Sequence, residues 1–368
     1  MKRRQFLALS GLAVFGAGIG VRKLLQAAAE PPVLRLYSAS DNAQGQHFAT
    51  VLDLNTQQIV SQALPFRAHA SIPLLDQQRL YFGRRPAMQS AVVDFASQHV
   101  RLIDATARRH FAGHGCLSAD GKVLFTTEND YDGKRGVIGI RDSATLQVLG
   151  EYESYGLDPH DIHLMPDGKT LVLANGGIET HPDFGRRKLN LDSMQPSLVY
   201  LESQTGKKLA EYRLPDHQLS IRHLIVSKHG DVGVALQYEG NLYRQQPQSL
   251  VAWQVKDQAL QLLPIPPQIL PSFQGYMADL AYDAEQDMLA VTSPRGRYIA
   301  FWQPQTAQFL ARYSLNEPSG IAFNQQQQRF IVSDANGSIH AFKYQAHQWH
   351  ASLLCKLQPQ WDNHLSLV

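Results

Sequence analysis

The feature that most limits how this chain can fold is a recurring unit. Four short β-rich segments, separated by polar turns, return at intervals of about 45 residues. The clearest copies are His114-Gly-Cys-Leu-Ser-Ala-Asp-Gly-Lys-Val-Leu-Phe-Thr-Thr-Glu128 and His160-Asp-Ile-His-Leu-Met-Pro-Asp-Gly-Lys-Thr-Leu-Val-Leu-Ala-Asn175. Weaker copies begin at His69, His223, Ala278 and Ser319. The segments are short, lie between turn residues and show no sustained helical period. A lone four-stranded unit leaves its faces exposed, so copies must stack, and radial stacking produces an all-β propeller.

Counting copies predicts seven blades: 33–65 completed by 364–368, then 67–110, 112–156, 158–215, 221–268, 275–315 and 317–357. The first β-rich stretch, 33–38, aligns with second strands and has no first strand before it. The chain ends in His364-Leu-Ser-Leu-Val368, which aligns with first strands such as His223-Leu-Ile-Val226. The C-terminus is therefore expected to supply the innermost strand of the blade that the N-terminus begins. Such closure removes an open sheet edge. A closed ring needs no second copy, so a monomer is expected.

Residues 1–29 read as an export address, and 30–368 as one propeller domain. Lys2-Arg3-Arg4 precedes an apolar run from Phe6 to Val21, then Arg22-Lys23 and the small residues Ala27-Ala28-Ala29. Paired arginines followed by Phe-Leu resemble a twin-arginine signal, which places the mature protein in the periplasm. The run is shorter than the ~20 residues of a membrane span, so cleavage leaves no stable membrane anchor.

That segment also carries the positive charge. The whole chain has 34 Lys and Arg against 32 Asp and Glu, a net +2. Residues 1–29 hold five of the bases and no acid, so the body carries 29 bases against 32 acids. Nothing in that balance suggests nucleic-acid binding. The two cysteines, Cys116 and Cys355, fall in different repeats and are not expected to pair.

Aligning the first strands puts one column at their start: His364, His69, His114, His160, His223, Ala278, Ser319. Strand direction puts this column, the ends of the second strands and the loops that follow them on one face. The longest insertions, 129–136, 176–196 and 238–248, lie there too. Neutral imidazole suits zinc, copper, iron and nickel. His69, His114, His160, His223 and His364 are therefore candidate metal ligands at the channel mouth, with Glu128, Glu179 and His181 completing or covering the site. Carboxylates would favour iron; imidazoles alone also suit copper. The same ring, once protonated, could bind an anion with help from Arg67 and Arg222. A histidine inherited with each repeat could equally serve packing. His163, inside a strand, reads as a half-buried packing residue. Asp158, Asp161, Glu128 and Glu179 could form a hydrolytic carboxylate pair, but sequence does not give their spacing. No Gly-x-Ser-x-Gly, HExxH, CxxCH or strand–helix phosphate loop occurs.

The stretches Phe111-Ala-Gly-His-Gly-Cys-Leu-Ser-Ala-Asp-Gly121 and Thr127-Glu-Asn-Asp-Tyr-Asp-Gly-Lys-Arg-Gly-Val-Ile-Gly139 resemble the bacterial domain-of-unknown-function family 1513. So do Gly156-Leu-Asp-Pro-His-Asp-Ile162 and Leu171-Val-Leu-Ala-Asn-Gly-Gly-Ile-Glu-Thr-His-Pro182. The resemblance implies a twin-arginine-exported propeller, often encoded beside imelysin-like and di-haem oxidoreductase-like proteins. That association implies a role in periplasmic iron or other metal handling. The leading expectation is thus a binding or accessory protein that holds iron or copper, or a metal-carrying partner, at the histidine face. The rival expectations are a metal-dependent oxidoreductase or hydrolase using the same pocket, and a metal-free interaction scaffold.

Overall fold

A computed structural model describes residues 34–74, 78–185 and 187–368. The export address at 1–29, and Arg186 of the long insertion, lie outside the described residues. Residues Leu34–Val368 form one compact unit. Within it, seven antiparallel sheets stand in a ring, six of them four-stranded meanders, joined otherwise by turns and the short 3-10 segments Pro182–Phe184 and Leu270–Phe273.

The innermost strands are Ala68–Pro73, His110–Leu117, Pro159–Leu164, Leu219–Val226, Leu280–Asp283 and Pro318–Asn324. They begin blades II to VII in chain order. Blade I starts with its second strand, Arg35–Asp41. Its inner edge pairs with Gln360–Trp361 and again with Ser366–Leu367, both from the C-terminus. The expected closure is present, and it reaches further upstream than the 364–368 segment read from the sequence. Leu36 pairs with Leu367, and Ser40 with Trp361.

Apolar side chains on both faces of each sheet pack against the neighbouring blades. Phe125 and Ile138 of blade III meet Ile162, Leu171 and Val199 of blade IV. Phe301 of blade VI meets Phe330 and Phe342 of blade VII. Leu36 and Leu52 of blade I meet Ile331 and Ile339 of blade VII, with Trp361 and Leu365 from the closing segment. Each fully buried Leu or Phe in these seams contributes on the order of 1.5–3 kcal/mol. Cys116 and Cys355 are both free thiols. Among the described residues no helix is long and apolar enough to cross a membrane.

One irregularity repeats around the ring. The inner strands of blades II, III, IV, V and VII each lose register at the column of first-strand starts: between Ala68 and Ser71, Phe111 and Gly115, Pro159 and Asp161, Ile221 and Leu224, and Pro318 and Ile321. In blade I the break lies between Trp361 and Ser366. Bulges of this kind bend a strand and re-aim a side chain. Here they turn the column toward the ring axis.

Candidate metal centre

The five histidines of the column meet in the channel. One nitrogen from each of His69, His114, His160 and His223 lies within 4.8 Å of the others, and all four residues are buried. His364 joins them, with ring centroids 4.5 Å from His223, 4.6 Å from His69 and 4.8 Å from His114. Nε2 of His160 lies 3.0 Å from Nε2 of His223, and Nε2 of His364 lies 3.2 Å from that same atom. Two imidazole nitrogens on one tetrahedral ion sit about 3.4 Å apart, so this spacing suits shared coordination.

In three of the rings the surroundings set which nitrogen is bare, whereas Nδ1 of His69 and of His160 is buried without a hydrogen-bond partner. His223 Nδ1 donates to the Ala278 carbonyl at 2.7 Å. His114 Nδ1 faces Asp161 Oδ1 at 3.1 Å, and His364 Nδ1 faces Asp279 Oδ1 at 3.1 Å. A histidine whose Nδ1–H is held by an oxygen presents an unprotonated Nε2, the arrangement common around protein-bound metals. His114 Nε2 is buried and has no hydrogen-bond partner.

The two carboxylates are themselves fixed across blades. Asp161 accepts the backbone N–H of Leu224 in blade V at 2.9 Å. Asp279 of blade VI accepts that of Ile321 in blade VII at 3.0 Å. Sequence reading included Asp161 only as a possible hydrolytic acid and missed Asp279. Each directly follows a column position, and that offset was the available signal.

A second group also escaped the sequence reading. Hydroxyls on the second strands bridge backbone groups along the inner strands. Thr127 Oγ1 accepts from His114 N–H at 3.3 Å and donates to the His114 carbonyl at 3.1 Å. Thr292 accepts from Asp279 N–H and donates to the Ser319 carbonyl, Ser333 accepts from Gly320 N–H, and Ser38 donates to the His364 carbonyl. Gly113, with φ of 115°, lets the backbone approach His69; a Cβ there would lie 2.7 Å from His69 Cδ2.

Electrostatics favour neutral rings at His69, His114, His160 and His223. Burial, then the neighbouring charged groups, holds the pKa of His69, His160 and His223 well below the usual histidine range. Burial also lowers His114, although Asp161 opposes it. In His364 burial acts the same way and is the largest single influence, but Asp279, Asp161 and Asp362 together outweigh it and the pKa is raised. Burial would raise Asp161, yet His114 and His163 carry it well below the usual carboxylate range. Neutral imidazole is the metal-binding form, so the site is largely ready without a proton being removed.

Two cavities meet this layer from opposite sides. One, of about 410 Å³, is lined by His69, His160 and His223 together with the long loops. The other, of about 390 Å³, is lined by His114, His364, Asp161, Asp279 and the partly exposed His163. The histidines thus form the floor of a vestibule inside the channel, below the mouth where the sequence placed them.

The remaining candidates lie elsewhere. Glu128 is buried in blade III, accepting from Thr126 at 2.7 Å and facing Arg141 at 3.5 Å. Glu179 is held by Lys134 at 2.9 Å. His181 lines the vestibule wall, where its Nδ1 accepts from Asp183 N–H. Asp158 is bound by Arg85 and by Arg222, so it forms no carboxylate pair with Asp161. Arg222 is pushed down to about 10 by burial and by Arg85, against the pull of Asp158.

A family model described as "Protein of unknown function (DUF1513)" matches residues 62–368. No curated protein matches the chain. Among solved structures, hydrazine synthase of Kuenenia stuttgartiensis is similar, with TM-score 0.62 and 14% identity over 86% of this chain and 94% of that one. Candidate 6-phosphogluconolactonases from Bacteroides fragilis and Bacteroides uniformis also have TM-scores of 0.62, each at 12% identity. The alignments cover 91% and 92% of this chain and 98% and 100% of those chains. At such identities the likeness is one of fold.

Proposed function

We propose, for a chain that belongs to the DUF1513 family, that the histidine floor binds one transition-metal ion and that the protein serves as an exported metal-binding or accessory protein. The observation that carries this reading is the tautomer pattern. His114, His223 and His364 each set Nδ1 on an oxygen, and the Nε2 of His114 is buried without a partner. At pH values where His364 is neutral, its bare Nε2 faces the bare Nε2 of His223 at 3.2 Å. A cation between them satisfies both.

The donor set is nitrogen alone, because Glu128 and Glu179 are engaged elsewhere. Imidazole without carboxylate favours the late first-row ions, copper foremost, over iron. The periplasmic setting rests on the twin-arginine-like residues, and the imelysin-like or di-haem oxidoreductase-like partners rest on the family resemblance.

Metal analysis of protein exported by its native route, purified without a histidine tag or chelator, tests the reading. Near-stoichiometric metal is expected, copper or another late first-row ion ahead of iron. His114→Ala/His223→Ala should abolish retention while near-native circular dichroism persists. Equal metal in wild type and double variant would overturn the assignment.

A further inference from the structure

The histidine floor separates two cavities whose walls treat a cation differently. The vestibule, on the side of the long loops, is lined by Arg67, Arg84, Arg85, Lys188, Arg222 and Arg295. Most of these charges are matched. Arg67 meets Asp41 and Asp362, Arg85 and Arg222 share Asp158, and Lys188 pairs with Glu239. Asp41, Asp158 and Asp362 do not themselves line the cavity, and Glu239, which does, is taken by Lys188. A cation crossing the vestibule meets cationic heads and no carboxylate free of an ion pair.

The cavity on the other side has the opposite character. Among the described residues that line it there is no Lys or Arg, and its carboxylates are Asp161 and Asp279. Both accept backbone N–H groups and face an imidazole, so they act as fixed charge rather than as free ligands. A cleft lined by one sign of charge concentrates its counter-ion and raises the on-rate by roughly 10–10³. His163 gives this cavity a donor as well. Its side chain is 37% exposed, and its Nε2 lies 3.4 Å from Asp161 Oδ2, while Asp161 Oδ1 holds His114. His163 therefore stands one carboxylate away from His114, whose Nε2 is buried without a partner. It is not part of the column of five, and nothing in the floor requires it.

We propose that metal ions reach and leave the histidine floor from the side opposite the long loops, drawn by Asp161 and Asp279 and held in passage by His163. The inference rests on the metal reading and adds to it a direction of loading and a transit ligand. Supply and exposure of the ion then use different faces of the ring. It arrives through the acidic cavity, and His69, His160 and His223 present it to the vestibule.

The test uses the full mature protein, freed of metal on a chelating resin and mixed rapidly with cobalt(II), whose visible absorption reports imidazole coordination. Two exposed positions allow each entrance to be obstructed in turn: Gln325, which lines the acidic cavity, and Arg295, which lines the vestibule. Each is changed to cysteine and tagged with pyrene maleimide, and wild type treated with the same reagent controls for Cys116 and Cys355. The tag on Gln325→Cys should slow loading about tenfold, the low end of what electrostatic focusing supplies, and the tag on Arg295→Cys should not slow it. In untagged His163→Gln, loading and chelator-driven release should slow together while the equilibrium affinity is kept, a pattern that a merely structural role would not produce. Loading slowed by the vestibule tag, or by neither tag, overturns the proposal, as does a His163→Gln variant that loads at the wild-type rate. Absence of saturable cobalt binding at equilibrium would instead overturn the metal reading, and the route with it.

Discussion

His364 shows how much a single residue here depends on what holds it. Its ring reaches the cluster from the broken inner edge of blade I, while its Nδ1 is held by Asp279 of blade VI. Asp279 also accepts Leu280 N–H and Ile321 N–H, so the carboxylate has little freedom to move. Partners of this kind set ligand tautomer and basicity, and their loss commonly weakens metal binding 10–100-fold. Asp279→Asn is expected to cost copper or zinc affinity in about that range without unfolding the ring, read by competition with a chromophoric chelator. Unchanged affinity would place His364 outside the coordination shell. Glu128 is the contrasting case: its Arg141 and Thr126 contacts make it part of the interior of blade III.

At the scale of the strand, the bulge is the element that makes the site. A regular inner strand would alternate its side chains between the two faces of its own sheet. The register shift breaks that alternation at the histidine column, and it also breaks ladder hydrogen bonds. The second-strand hydroxyls help satisfy what is lost. Thr292 is fully buried, and its hydroxyl contacts Asp279 N–H and the Ser319 carbonyl, which belong to adjacent blades. Thr292→Val keeps the shape and removes the hydroxyl, leaving buried backbone groups unpaired. A loss of about 1–3 kcal/mol is expected from denaturant midpoints at unchanged m-value. A loss under about 0.5 kcal/mol would mean that this hydroxyl adds no net hydrogen-bond stability.

At the scale of the whole molecule, the ring is held by its last residues. Buried Trp361 and Leu365 fill the seam between blades VII and I, and Gln360–Trp361 with Ser366–Leu367 cover the inner edge of Arg35–Asp41. A chain ending at Pro359 loses that seam, uncovers a strand edge and drops one histidine from the cluster. It should unfold at lower denaturant and self-associate through the exposed edge, as seen by size-exclusion chromatography. A monomeric truncation with the wild-type midpoint would show that closure contributes little.

The repeat alone determined the blade count, the ring closure and the shared column of five histidines. All three follow from local periodicity, which is legible wherever strands and turns alternate along one chain. The same alignment put the histidines on the side of the long loops, where the vestibule lies. Only the tertiary structure decided the depth of the layer, the bare nitrogens and the exclusion of Glu128 and Glu179. The direction of a histidine at a register shift depends on a hydroxyl in the next strand and a carboxylate one or two blades away. Those groups are brought together only when the ring closes, so no periodicity along the chain records them.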